Sequence, residues 1–232
     1  FDFFNSYTNQ LLFFLLPILW PGIAHGSLDI ETAIRKRVIQ KGKNKILFLG
    51  FYILIPVLFF TFWIKNPNTF FSLFLILSIL HFGISDSITK RKESKSIEVL
   101  IRGMIVISLP FKFHLIKTIE IFSYFFIKED FLYEIQQYFD ALFILLIILI
   151  IYWLIRNSYT LLSNQRLFIF FVEFVGLFFC FWFFEPLISF FIYFCFLHSS
   201  RHLIDEKKNL KLNNFQLFLK TVPMTFLTCI FF

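Results

Sequence analysis

Residues 141–155 read ALFILLIILIIYWLI, a run without one charged side chain. Such a run has no polar face to turn toward water, so it predicts a helix surrounded by lipid. Similar runs recur along the 232 residues, which are 58% hydrophobic and include 40 Phe. The mean hydropathy is +0.77, and charged residues make up only 16% and lie in clusters. This composition excludes an ordinary soluble domain and predicts a polytopic membrane protein.

Eight segments of the chain approach the roughly 20 apolar residues that cross a bilayer. They predict an all-α, polytopic transmembrane helix bundle of seven to eight spans, which forms a single domain over residues 1–232. With bounds soft by several residues, the spans are Phe3–Ala24, Ile46–Ile64, Phe70–Ile88, Ile97–Phe113, Ala141–Ile155, Leu167–Phe184, Leu187–Ile204 and a partial Phe215–Phe232. Ile119–Ile127 is too short to cross and is interpreted as a re-entrant or interfacial segment. We expect truncation at both ends, because the chain starts at Phe1 and stops inside an apolar run.

Lys and Arg residues are distributed unequally between the two sets of loops. When Arg201 and Lys112, at the ends of spans seven and four, are counted with the adjoining loops, sixteen lie in the loops after spans one, three, five and seven, and four lie in the other loops. The positive-inside rule therefore places the first set in the cytoplasm and the N-terminus outside. The same bias accounts for the net charge of +7. We therefore expect the lipid bilayer as a partner and no nucleic acid.

Four of the five histidines are predicted to share one depth in the membrane. They are His25, His81, His198 and His202. The first three each lie nine or ten residues before a basic cluster, about 13–15 Å along a helix. An imidazole in a bilayer helix costs free energy unless it is hydrogen-bonded or bound, so each is a functional candidate. Four at one level predict a metal site.

His198 and His202 are spaced i, i+4, which places both rings on one face of a helix where they can chelate one ion. Taken alone, the pair is equally compatible with two unrelated histidines near the membrane surface. The additional histidines at the same depth favour the metal site. His114 lies near the outer end of span four, too far from this level to ligate. Its role is left open between a pocket residue and an interfacial one.

Acidic residues near these histidines are candidates to accept a hydrogen bond from the second ring nitrogen of a metal ligand. They are Asp29, Asp86, Asp205 and Glu173. Each aspartate is equally compatible with a solvated or ion-paired surface charge. Glu173 is the stronger candidate, because an apolar helix offers a carboxylate few other roles. Its alternative is an ion pair with Arg102 across the bundle.

Small residues flank two of the histidines. Pro21 and Gly22 can break the first helix and aim His25 inward. Gly83, two residues after His81, lets helices approach closely. Plain helix packing is an equally good interpretation of these glycines.

Three segments resemble the motifs of the bacteriorhodopsin-related-protein family, membrane β-carotene dioxygenases that produce retinal. They read PGIAHGSLD at Pro21–Asp29, HFGISD at His81–Asp86 and YFCFLHSSRH at Tyr193–His202. Arg102–Gly103 and Leu109–Pro110 on span four are also similar to that family. The resemblance extends from the first span to the seventh.

This resemblance implies iron-dependent cleavage of β-carotene by O2 at the central 15,15′ double bond, which gives two molecules of all-trans-retinal. The Fe(II) ligands would be His25, His81, His198 and His202, and no catalytic side chain beyond them is implied. The substrates would be β-carotene and O2, and a rhodopsin could receive the product. The expected location is a bacterial inner membrane.

Three other functions remain open at the level of sequence. A bis-histidine haem carrier needs axial ligands on opposite faces of the ring, which an i, i+4 pair cannot supply alone. A di-iron membrane desaturase needs more histidines than the five present. A metal transporter needs ionisable groups along a path through the bilayer, whereas this chain gathers them near one leaflet.

Overall fold

The computed structural model describes residues 4, 6–39, 43–89 and 92–231. Two predicted span ends, Phe3 and Phe232, lie outside the described residues, and so do three of the basic residues counted in the loops: Lys41, Lys90 and Arg91.

Helices make up the architecture, and no strand occurs in the residues that the structure describes. The α-helices are α1 (Tyr7–Phe13), α2 (Leu15–Pro17), α3 (Asp29–Arg35), α4 (Lys43–Lys65), α5 (Pro67–Asp86), α6 (Lys92–Phe113), α7 (Leu115–Ser123), α8 (Glu129–Asn157), α9 (Gln165–Phe183), α10 (Pro186–Phe191), α11 (Ser200–Asn209) and α12 (Asn214–Phe231). Two π-helices (Ile18–Gly22 and Ile192–Ser199) and a 3-10 helix (Ile23–Leu28) interrupt this series. The predicted all-α fold is confirmed.

Five helices are long and apolar enough to cross a membrane, and the count rises to seven if each of two bent pairs forms one span. The five are Asn44–Lys65, Pro67–Asp86, Glu129–Asn157, Gln165–Phe183 and Pro186–Asn209. The bent pairs are Tyr7–Phe13 with Leu15–Arg35 and Lys95–Phe113 with Leu115–Ser123. These correspond to the first seven predicted spans. The partial eighth segment forms α12, which is not among the candidate spans found in the described residues.

The chain divides into two compact units. The first unit comprises Phe1–Thr61 and Phe191–Phe232. Its apolar core joins the 3-10 helix to α11 and α12 through four buried residues: Ala24, Leu28, Leu203 and Leu217. The core therefore fixes the segment that carries His25 against the C-terminal helices, which also carry His202.

The second unit, Phe62–Phe190, has an aromatic core between α5, α6, α7 and α8. Phe111 and Phe139 stack with ring centroids 3.8 Å apart, and Phe71 packs edge-on against Phe122 at 4.8 Å. Aromatic pairs of this kind contribute packing energy beyond the area that they bury. Much of the buried Phe content in this unit is thus explained by packing.

Helices α5 and α6 are in backbone contact at two glycines. A Cβ atom on Gly83 would lie 2.1 Å from the Val99 carbonyl oxygen, and one on Gly103 would lie 2.0 Å from the Ile79 carbonyl oxygen. No side chain fits at either position, because the obstacle is main chain. The packing interpretation of Gly83 is therefore confirmed, with Gly103 as its counterpart on α6.

The chain bends by 106° between α6 and α7. Helix α7 carries the start of the segment that was interpreted as re-entrant, and Ile119 and Ile127 are buried in the core of the second unit. The geometry is that of a broken span or a re-entrant loop. The segment packs into the core of the second unit.

The orientation of the helices leads to a labelling prediction. In a background without the native cysteines, Lys36→Cys is expected to resist an impermeant thiol reagent added outside intact cells, whereas Asn66→Cys is expected to react. Both positions are exposed, and the charge bias puts them on opposite sides of the membrane. Permeabilised cells, in which both should react, serve as the control. Labelling of Lys36→Cys in intact cells contradicts the orientation.

Candidate metal centre

The first helix breaks just before His25. Trp20 leaves the helical conformation, with φ −145° and ψ 117°, and a cis peptide bond joins it to Pro21. The chain resumes as the 3-10 helix Ile23–Leu28, which carries His25. The predicted break at Pro21 and Gly22 is confirmed. It sets the direction of His25 independently of the helix that precedes it.

A π-helix carries His198. In Ile192–Ser199 the wider turn leaves an extra carbonyl to satisfy, and the Ser200 hydroxyl donates to the Cys195 carbonyl at 2.8 Å. His198 and Ser199 are both buried, at 1% and 0% exposure. π-Helical turns are rare and occur frequently at functional sites. Sequence periodicity gave no sign of this turn.

Three of the four predicted ligands come together in the first unit. The ring centroid of His25 lies 5.3 Å from that of His198 and 5.6 Å from that of His202. Two imidazoles on one ion, each about 2.1 Å from the metal through a nitrogen, have ring centres roughly 5 Å apart. The distances from His25 to the other two rings are thus close to those of imidazoles that share an ion. Phe194 stacks on His198 at 5.8 Å and limits its rotation.

Hydrogen bonds determine the tautomer of His25. Its Nδ1 is bonded to the Gly22 carbonyl oxygen, which can only accept, so Nδ1 carries the proton of the neutral ring. The Ser199 hydroxyl lies 3.2 Å from the same nitrogen and 3.4 Å from the Gly22 carbonyl. The lone pair is therefore on Nε2, which is one of the two arrangements in which a neutral imidazole binds a metal.

His202 contributes a buried nitrogen whose bonding is incomplete. Its Nδ1 atom is shielded from solvent and has no hydrogen-bond partner among the residues described. Within the same residues, no group of three or more His, Cys, Asp or Glu side chains has the geometry to hold a metal ion. The rings would have to rotate to point their nitrogens at one ion. The imidazole nitrogens are nevertheless donors of a type that suits iron.

The fourth predicted ligand, His81, lies on α5 in the second unit, where its side chain is exposed. Asp86, at the C-terminal end of the same helix, is 1% exposed. In the first unit, Asp29 accepts a hydrogen bond from the Tyr52 hydroxyl at 2.8 Å. Asp205 is exposed on α11, as a solvated surface charge would be.

Glu173 accepts a hydrogen bond from Arg102, with 2.7 Å between Oε2 and Nη2. The ion pair that the sequence offered as the alternative is thus present. Arg102 also donates from Nε to Glu98 Oε1 at 2.8 Å. The side chains of Arg102 and Glu98 are 4% and 0% exposed, so one cation serves two acids away from water.

Glu98 also stabilises the loop that connects α5 to α6. Its two carboxylate oxygens accept the backbone N–H groups of Ile88 and Thr89, each at 2.9 Å. The Phe170 ring covers the Arg102 guanidinium at 4.8 Å. With these bonds each charged side chain of the network has a partner, as buried charges require. Sequence reasoning missed Glu98, which is the second residue of predicted span four and follows a charged stretch.

His114 holds the bend between α6 and α7 against α9. Its Nε2 lies 3.1 Å from the Phe181 carbonyl oxygen. That carbonyl is in the last turn of α9, where the helix itself leaves carbonyls without N–H partners. His114 therefore caps a helix end, which gives it a structural role.

Glu206 is a second acid that sequence reasoning missed. It is 5% exposed, and its Oε1 lies 2.6 Å from Nη2 of Arg35. The pair joins α11 to α3. Its spacing of four residues from His202 was the available signal, but the neighbouring Asp205 was selected instead.

Comparison with known proteins gives two matches and one negative result. The model of a family described as β-carotene 15,15′-dioxygenase matches residues 16–232. A β-carotene 15,15′-dioxygenase from uncultured marine bacterium 66A03 is 31% identical over 201 residues, which cover 84% of this chain and 68% of that protein. No solved structure gives a significant match. The matched region contains all four candidate histidines, and the chain belongs to the β-carotene 15,15′-dioxygenase family.

Proposed function

We propose that this chain cleaves β-carotene with O2 at the central 15,15′ double bond and releases two molecules of all-trans-retinal. Family membership supports the reaction. The observation that carries a metal-centred mechanism is the approach of His25 to His198 and His202 within 5.3 and 5.6 Å. Both atoms of O2 end in the two aldehydes, so the reaction balances without another reductant.

The proposed ligands of Fe(II) are His25, His81, His198 and His202. His81 is included because its motif resembles that of the family, and the other three also because their rings come together. Bound Fe(II) would supply the position at which O2 is activated, which no protein side chain can do alone. Neutral imidazoles suit this ion and leave coordination positions open.

The protein's own contribution is to orient the rings and to exclude water. The Gly22 carbonyl keeps the proton of His25 on Nδ1, and Nε2 is left to coordinate. Buried aromatic residues around His198, among them Tyr193 at 1% exposure, keep the surroundings apolar. An apolar environment prevents side reactions of an activated oxygen species.

A location within the bilayer suits the substrate. β-Carotene partitions into the hydrocarbon region, so a protein of long apolar helices can receive it laterally without transfer through water. We propose a bacterial inner membrane as the location. Retinal leaves into the same phase, where a rhodopsin could take it up.

Expression in bacteria that produce β-carotene tests the proposal. The expected result is loss of the orange pigment and formation of retinal, both measured by chromatography, with iron in the purified protein. Cells that express the His202→Ala variant are the matched control. An unchanged carotene pool with folded, iron-loaded protein contradicts the reaction. A Soret band in the purified protein would point to a haem carrier instead.

A further inference from the structure

We propose that Glu206 is a positioning residue for His202: its carboxylate accepts the Nδ1–H of that imidazole and leaves Nε2 free for the metal. The inference rests on the proposed function, since it assigns a partner to one of the proposed ligands. It concerns two side chains of the first unit whose burial and bonding are both described.

The first argument is the position of the two residues on one helix. His202 and Glu206 both lie on α11, four residues apart. Side chains at i and i+4 are neighbours on a helix surface, and helical side chains lean toward the N-terminus. The Glu206 carboxylate is therefore directed back over His202.

The second argument is that each side chain has one buried atom left without a partner. Nδ1 of His202 and Oε2 of Glu206 are both shielded from solvent, and neither has a hydrogen-bond partner in the part of the chain described. One can donate and the other can only accept. Buried polar groups in folded proteins are nearly always bonded. A change of side-chain torsion angles that joins these two atoms satisfies both at once.

The third argument is the placement of the carboxylate. The other oxygen, Oε1, is 2.6 Å from the Arg35 guanidinium. A charge-assisted bond of this kind is strong and fixes the direction of the carboxylate. Arg35 is partly exposed, at 32% of its side chain, whereas the Glu206 side chain is at 7%. Glu206 is thus buried and paired with a cation one turn from His202.

The proposed bond gives His202 the same tautomer as His25. In His25 the Gly22 carbonyl fixes the proton on Nδ1, and in His202 the Glu206 carboxylate would do so. Both ligands would then coordinate through Nε2. A carboxylate behind a ligating imidazole raises its basicity and holds its plane. The exposed Asp205 cannot serve in this way without being drawn out of water.

Three variants separate this role from a purely structural one. Glu206→Gln keeps the shape but weakens the acceptor, Arg35→Gln removes the ion pair but keeps the carboxylate, and Asp205→Asn changes the neighbouring exposed acid. Affinity for Fe(II) is measured by titration of metal-free protein in detergent. We expect Glu206→Gln to lower it by about 10- to 100-fold. Arg35→Gln should lower it far less, and Asp205→Asn should leave it unchanged.

A second readout needs no metal. Nuclear magnetic resonance of metal-free protein labelled with ¹⁵N-histidine detects the ring nitrogens. The signals of His202 are those that disappear in His202→Ala, and in the wild type their chemical shifts should be those of the Nδ1–H tautomer. Glu206→Gln should shift them toward a mixture of tautomers. A wild-type Nε2–H tautomer overturns the proposal, and so do equal losses of metal affinity in Glu206→Gln and Arg35→Gln. If wild-type protein binds no iron, the proposed function fails, while the tautomer measurement still decides the role of Glu206.

Discussion

Replacing His198 or His202 with alanine is expected to abolish carotene cleavage and to lower iron content while the protein still inserts. Each substitution removes one proposed metal ligand. The loss of activity should therefore exceed the roughly 100-fold loss that follows removal of a residue that only hydrogen-bonds to a ligand. Retinal formation and iron per protein, both on purified material, are the measurements. Membrane insertion is checked by the amount of protein in the membrane fraction.

The matched control for these variants is His114→Ala. Its ring bonds to the Phe181 carbonyl oxygen at 3.1 Å, so its loss should lower thermal stability and leave iron content near that of the wild type. Full activity of His198→Ala or His202→Ala would refute the four-histidine site. An equal loss of iron in His114→Ala would show that the depth assigned to span four is wrong.

The largest loss of stability is expected for Arg102→Leu. The substitution leaves the carboxylates of Glu98 and Glu173, whose side chains are 0% and 18% exposed, without their cation. Removal of one partner from a buried ion pair costs about 3–5 kcal/mol, and here one residue serves two pairs. Denaturant unfolding in detergent measures the change, with exposed Arg166→Leu as the control. Wild-type stability of Arg102→Leu would contradict the buried network.

Glu173→Gln separates the two roles of that acid. If Glu173 serves only as the partner of Arg102, the variant should be less stable but should bind iron and cleave carotene as the wild type does. If Glu173 accepts a hydrogen bond from a ligating imidazole, the variant should also lose about 10- to 100-fold in affinity for iron. Iron occupancy and thermal stability on one preparation decide between them.

The helical fold could be predicted from the sequence because helices exposed to lipid consist of long runs of apolar residues. The run at residues 141–155 lies within α8, as its lack of charge implies. The break at Pro21 was also predictable, since proline cannot continue a helix. The 106° bend after Phe113 was not, because it depends on tertiary bonds such as that of His114 to α9.

The candidate site was predictable in its histidines and less so in its acids. An imidazole in an apolar run is easily recognised, whereas Glu98 and Glu206 lie beside charged residues that are typical of a protein surface. Asp205 and Glu206 differ by one position, and only the orientation of α11 shows that the first faces out and the second is buried. Burial of a charge depends on helix rotation, which a short charged segment does not reveal.

The π-helix at Ile192–Ser199 also governs how insertions and deletions act on this chain. A π-turn accommodates one residue more than an α-turn, and that residue rotates everything before it by about 100° relative to an uninterrupted α-helix. Deleting one residue of this segment other than His198 would remove no ligand and little volume. It would nevertheless turn the preceding helix so that different side chains face its neighbours. Alignments with relatives are therefore expected to need a single-residue gap in this segment wherever the relative has a regular α-helix.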